Sequence, residues 1–449
     1  MKKVLSKIDS FFKITENGST IGRELIAGVI VFLAMVYILP VNSGMLSEIP
    51  GLSYGAVFFA TAVASGIATV LMGLLANYPV ALSAGMGLNA LMTYTVCLGM
   101  GYTWQEALCV IFVSGVIFLI LSLTGLRKKV ISAIPRDLKY AIGAGIGAFI
   151  TIVGLSNAGV VVTGGTILQL GEPTPAFFLA LGGILLVFIL HSLPQKISRF
   201  SVILSIIIVT VVGFILGLCG VEGMPAFNQD IQLNTDAVGG FIEGFSVFAK
   251  PSAYAILFTF LFVDFFDTSG TLVAVGTTAG LVDETTGELK GDKSALLADA
   301  VGTVVGATLG TSTITSFIES STGVESGGRT GLSAVVVGLL FFASLLIFPA
   351  FTIFANCSAT TTMALVLVGA LMFTNLKNIN WNDGVIVVSS FITVLMMVFC
   401  YSISEGLSLG FIVYVIMMLA SRRGKEVNPV MYILSGLFLV NFIVKFFVL

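Results

Sequence analysis

Within 56 positions, four carboxylates fall inside apolar runs: Asp264, Asp267, Asp299 and Glu319. A charge at the centre of a membrane-crossing helix costs about 2.5–3.5 kcal/mol on insertion scales, so acids placed there are expected to do work. No Lys or Arg lies in the apolar runs that hold them, so ion pairing inside the membrane does not account for the set. They are candidate proton carriers. The competing reading is that a buried acid caps a broken helix or bonds backbone N–H groups; for Asp299 it is a bond to a neighbouring hydroxyl. Asp264 and Asp267 are three apart and share a helix face, and Asp267 leads into Thr268, Ser269 and Gly270. Glu319 follows Thr311, Ser312, Thr313, Thr315 and Ser316 and precedes Ser320, Ser321 and Gly323, which implies irregular backbone or a wet cavity. In the first half Gly85, Gly87 and Asn89 offer close main-chain approach and an amide with both donor and acceptor, suited to the edge of a heterocycle. Helix packing is the alternative for the glycines. No strand–helix–strand unit surrounds them, so they are no nucleotide fingerprint.

The elements that hold these residues are membrane spans. Only 10% of the 449 residues are charged and 57% are hydrophobic, against about 25% charged in soluble domains. At about 20 residues per span, the chain has room for roughly twelve to sixteen crossings and no sizeable soluble domain. A net charge of -2 supplies no basic field for nucleic acid. His191 is the only histidine, and Cys97, Cys109, Cys219, Cys357 and Cys400 show no CxxC spacing, so neither a metal nor a cofactor is expected. No nucleophile–base pair suggests an enzyme. The N-terminal stretch Met1–Gly18 is amphipathic and too long and polar for a cleaved signal.

Fourteen apolar runs extend from Leu25–Leu46 to Leu407–Ala420, with a further run at Met431–Leu449 that either crosses or lies in the interface. Ala295–Leu309 and Thr311–Gly323 are too short for full crossings, and half-helices survive only where protein or a cavity covers their ends. With the N-terminus cytoplasmic, 19 of the 21 basic residues fall on the cytoplasmic side, the exceptions being Lys250 and Lys445. VNSGML (Val41–Leu46) and DTSGTL (Asp267–Leu272) end the first and eighth runs, and each precedes a polar, Gly/Ser-rich segment at similar distance. Seven spans per half is odd, so the halves are inverted repeats, the pattern of a secondary transporter with its site near the midplane.

At VDFFDTSGTL, SAGMGLNA and FIESSTG the chain resembles the nucleobase/ascorbate transporter family, in its hypoxanthine–adenine–guanine permease branch, from about Arg23 to Arg423. The resemblance implies an all-α membrane protein of fourteen spans in two inverted seven-span repeats, with short antiparallel strands in broken spans three and ten. It implies a cytoplasmic N-terminus (1–22), a core domain (23–126 and 253–351), a gate domain (127–220 and 352–423), an external linker (221–252) and an apolar tail (424–449). Carried over by motif, Asp267 is the substrate carboxylate of span eight, Glu319 the acid of span ten, Asn89 the residue of purine selectivity, and Asp299 the acid of span nine. The glutamine frequent in xanthine and urate carriers is replaced by Glu319, which favours hypoxanthine, guanine or adenine. A homodimer through the gate is also what the family suggests.

The expected function is therefore purine import across the cell membrane by proton symport, with an elevator-like core movement and sodium as the other coupling ion to test. Substrate would meet Asp267, Glu319, Asn89, Gly87, Phe317 and Ser320, with Phe265, Phe266 or Phe317 stacking on the base. The proton would reside on the coupled set Asp264, Asp267, Asp299 and Glu319. The alternative on the same fold is a sulfate/bicarbonate-type anion exchanger, which would want a positive centre where this one is acidic.

Overall fold

The computed structural model describes residues 2–124, 134–164, 168–198, 200–226, 230–281, 292–354 and 357–448. Arg127, Lys128, Lys129, Arg199 and Lys290, used above for orientation, lie outside the described residues, as do the side chains of Phe266, Ser269 and Gly270.

An amphipathic helix α1 (Lys2–Phe12) precedes α2 (Ile21–Met35) and α3 (Ile38–Leu46). The first apolar run was expected to be continuous; it breaks at Val36–Tyr37 because Pro40 has no N–H and its ring clashes with the carbonyl four residues back. Then follow α4 (Tyr54–Leu71), β1 (Leu82–Ala84), the short α5 (Met86–Ala90) with a wider π-helical segment Leu91–Gly99, and α6 (Trp104–Thr124). After α7 (Arg136–Asn157) comes a hairpin of β2 (Val161–Thr163) and β3 (Leu168–Leu170) that was not expected. α8 (Pro175–His191) and α9 (Ser201–Leu218) lead to a 3-10 helix, Gly240–Ala249, packed on α6. The second half holds α10 (Pro251–Thr278), α11 (Asp292–Leu309), β4 (Ile314–Ser316), α12 (Ser320–Glu325) and α13 (Gly331–Ser344). It ends with α14 (Thr362–Phe373), α15 (Gly384–Phe399), α16 (Ile403–Ala420) and α17 (Pro429–Val448).

Among the described residues, seven helices are long and apolar enough to cross a membrane, from Ile21–Leu46 to Ile403–Ala420. The remaining apolar helices are shorter, such as Pro175–His191 and Gly384–Phe399.

Packing sorts the helices into two sets. In the first, α4 contacts α3, α11 and α13, α2 lies on α12 and α13, and α6 lies on α10 and α11. In the second, α7 contacts α14 and α15, α8 lies on α9 and α14, and α16 joins α15 to α17. The short α5 bridges them by contacting α7.

β1 and β4 pair antiparallel in the first set, with Leu82 opposite Ser316, Ser83 opposite Thr315 and Ala84 opposite Ile314. Thr61, Ser65 and Thr69 lie four apart and therefore on one face of α4. Thr69 Oγ1 accepts from Leu82 N and donates to Leu82 O, both at 2.9 Å, and Ser65 and Ser83 share a hydroxyl bond of 2.7 Å. Asn42 Nδ2 donates to Thr61 Oγ1 at 2.7 Å and to Thr311 Oγ1 at 2.9 Å, tying α3 and α4 to the approach to β4. Thr69 thereby gives the Leu82 backbone the partners that a neighbouring strand would supply, since buried backbone groups must find partners.

Candidate functional site

The strand pair joins two segments from the two halves of the chain, and the candidate site is assembled around it. Backbone bonds extend the pairing at both ends: Gly85 N donates to Thr313 O at 3.1 Å and Phe317 N to Ala81 O at 2.9 Å. Ser320 Oγ accepts from Ala81 N at 3.0 Å, so its hydroxyl continues the ladder past β4. Phe317 is buried beside it.

The four acids separate into two environments. Asp264 and Asp299 are fully buried between α10 and α11. Thr303 Oγ1 donates at 3.1 Å to Asp264 Oδ2 and contacts Ile314 O at the same distance, while Thr268 Oγ1 donates to Asp299 Oδ1 at 2.7 Å. These bonds are the neighbouring-hydroxyl arrangement that was the competing reading for Asp299. Asp267 and Glu319 instead stand at the strands. Thr315 of β4 bonds the Asp267 carboxyl, and Glu319 lies near enough for the two acids to repel one another. Glu319 Oε1 accepts the hydroxyl proton of Tyr37 at 2.6 Å, and Tyr37 is fully buried at the α2–α3 break.

Sequence reading missed Tyr37. Its one signal was a phenol three residues before Pro40 in an apolar run, and only the fold carries it across 282 positions to Glu319.

Asn89 sits in α5, directly after β1, and is fully buried. Neither its Nδ2 nor its Oδ1 has a partner among the described residues. Leaving a buried donor or acceptor unmet costs about 1–3 kcal/mol each, which singles this amide out among the residues around the strands. Gly87 has a simpler account: a Cβ there would lie 2.5 Å from Ile146 Cγ2 of α7, and the close approach of α5 and α7 requires glycine. Phe265 packs edge-on against Phe118, with ring centroids 6.0 Å apart. Phe317, the residue after β4, is buried at the strand pair. Among the described residues no cluster of three or more His, Cys, Asp or Glu has the disposition of a metal site.

Residues 22–409 match the model of a permease family, Xan_ur_permease. The chain is similar to the guanine/hypoxanthine permease PbuG of Bacillus subtilis (strain 168), at 42% identity over 97% of this chain and 99% of that protein. It is also similar to the adenine permease AdeP of Escherichia coli (strain K12), at 38% identity over 97% and 96% respectively. Among solved structures it is similar to the transmembrane domain of a cyanobacterium bicarbonate transporter, BicA, with a TM-score of 0.62 and 15% identity over 86% of this chain and 96% of that one. A likeness at that identity concerns the fold alone.

Proposed function

We propose that this chain, which belongs to the nucleobase/ascorbate permease family, imports purine nucleobases (hypoxanthine, guanine or adenine) by proton symport. The observation that carries the reading is the buried Asn89 amide, whose donor and acceptor are both unmet among the described residues, beside a strand pair flanked by Asp267 and Glu319. A purine presents adjacent N–H donors and ring acceptors on one edge. Carboxylates at Asp267 and Glu319 accept the donors, the Asn89 amide reads a mixed edge, and Phe317 supplies an apolar face. Gly87 and Ser320 serve the site by letting α7 approach and by holding the ladder.

Symport needs an acid that changes protonation as the site moves. We assign the proton to the coupled set Asp264, Asp267, Asp299 and Glu319, where apparent titrations belong to the group. One proton moving down 100 mV supplies about 2.3 kcal/mol, enough for substantial accumulation. The first helix set acts as the moving core and the second as the gate in an elevator-like step. The fourteen spans form two inverted repeats, the N-terminus is cytoplasmic, and a gate-to-gate homodimer is part of the same proposal.

The anion-exchange alternative is not favoured, because acids rather than cations flank the strands. The deciding experiment is uptake of labelled hypoxanthine into vesicles with and without a pH gradient, competed by adenine, guanine, xanthine and uracil. Uptake driven by pH and competed by purines supports the proposal. Accumulation that follows a sodium gradient and ignores pH would refute proton symport, and no purine uptake at all would refute the substrate.

A further inference from the structure

At the end of the molecule opposite α1, the two helix sets meet through three side chains that the substrate site does not use. Glu48 follows α3, in the first set, and Tyr94 lies on the helical segment Leu91–Gly99, which contacts α3 and α6 of that set and α16 of the other. Asn157 is the last residue of α7, in the second set. Asn157 Nδ2 donates to Glu48 Oε1 at 2.9 Å and also to the Tyr94 hydroxyl, and Tyr94 in turn donates to Glu48 Oε1 at 2.9 Å. The two N–H groups of one amide, one phenol and one carboxylate oxygen thereby close a triangle across the boundary. Asn157 is itself held in the second set, because its carbonyl accepts from Ser358 Oγ at 2.7 Å and that of Gly154 accepts from Thr362 Oγ1 at 3.2 Å. The Tyr94 ring also meets Tyr401, from the turn before α16, at 5.9 Å between centroids.

Beside the triangle the sets part around a half-open cavity of about 260 Å3, lined by Gly44, Ser47 and Glu48 on one side and by Asn157, Ser358 and Thr361 on the other. Pro40, Val41, Met45, Phe354 and Leu365 also line it, so the contact between the sets is partly apolar. The directed bonds at its rim fix the geometry of that contact, and those to a carboxylate are the stronger class.

We propose that Glu48, Tyr94 and Asn157 are positioning residues that hold the two helix sets in this arrangement and so set the rate of the conformational step, without touching the purine. The inference rests on the transporter reading above. A group that bonds in one arrangement only biases the equilibrium toward it, so removing the bond populates the other arrangement.

The test uses a reporter at Gly44, which lines the cavity and where an added Cβ meets nothing within 4 Å. The full chain carries Gly44→Cys in a background of Cys219→Ser and Cys400→Ser, reconstituted in vesicles and labelled with a membrane-impermeant maleimide. Glu48→Ala and Asn157→Ala should each change the labelling rate about fivefold or more, as expected for loss of a charge-assisted hydrogen bond. The double variant should go no further than the larger single, and equilibrium binding of hypoxanthine should stay within about twofold. Tyr94→Phe keeps the ring against Tyr401, removes only the hydroxyl, and should shift labelling the same way, which covers the case of a truncation that fails to fold. Labelling unchanged in Tyr94→Phe and in whichever truncations fold overturns the bridge, as do strictly additive effects. Absence of hypoxanthine binding in the unmodified protein overturns the substrate reading instead, and the labelling comparison still decides the bridge.

Discussion

The Tyr37 hydroxyl donates to Glu319 Oε1 at 2.6 Å, joining the break between α2 and α3 to the residue that follows the strand-bearing segment of the other half. This bond occupies one carboxylate oxygen and leaves the second for other partners. Tyr37→Phe keeps the ring and deletes the donor. Loss of a hydrogen bond to a charged group costs about 1.5–3 kcal/mol, so hypoxanthine affinity should fall about tenfold or more at unchanged protein abundance. Equilibrium binding to the purified protein is the measurement, and full affinity in Tyr37→Phe would remove Tyr37 from the site.

Asp267→Asn and Glu319→Gln should each abolish or severely weaken purine binding, because an amide in place of a carboxylate offers a donor where the base already presents one. Normal binding in both variants would show that the purine sits elsewhere.

Asp299 differs, since its Oδ1 is bonded to Thr268 rather than facing the strands. Asp299→Asn should leave exchange of labelled purine across the vesicle membrane intact while uphill, pH-driven accumulation falls. Thr268→Val, which removes the donor on the neighbouring helix, should weaken coupling in the same direction. Equal loss of exchange and accumulation would place Asp299 in binding or folding instead.

Asn89→Ala should reorder the competing bases by about tenfold, because the partner groups on the base lose their only mixed donor–acceptor contact. The readout is the ranking of adenine, guanine and hypoxanthine as competitors. Lower abundance with the ranking unchanged would return Asn89 to packing.

At the end of the molecule that carries α1, Asp383 caps α15 by accepting from Val385 N at 3.0 Å and takes Arg423 Nη1 at 2.7 Å. The Arg423 guanidinium holds the Asp383 carboxyl below its ordinary range. A depressed native value means that the stabilisation is present above the unfolded carboxylate pKa of about 3.9 and is lost as pH falls through the native one. Arg423 is partly exposed and also bonds Glu426, so solvent screening keeps the contribution of the pair small. Asp383→Asn should therefore unfold at a lower temperature than the unmodified protein at pH 7, with the gap narrowing at an acid pH below the native Asp383 value. A gap of the same size at both pH values would exclude the ion pair as its source.

Much of the architecture is legible in the chain because the penalty for a polar group in lipid is paid locally. The apolar runs, the four acids and the two interrupted segments all stand out from composition within a short window. Asn89 was singled out for the donor and acceptor of its amide, and its burial without a partner among the described residues is what the fold adds. Other features depend on distant partners and leave no local trace. Tyr37 reads as one aromatic among many until the break before Pro40 carries it to Glu319, and the Thr61–Ser65–Thr69 row reads as ordinary small-residue packing until β1 lies against it. Only the tertiary structure divided the acids into a pair bonded by threonines between α10 and α11, of which Asp264 is one hydroxyl from β4, and a pair bonded by Thr315 of β4 and by Tyr37 of the α2–α3 break, because all four are the same chemistry in the same kind of run. What separates them is which neighbour each helix face meets, and that is decided by packing between segments hundreds of residues apart rather than by any stretch of sequence.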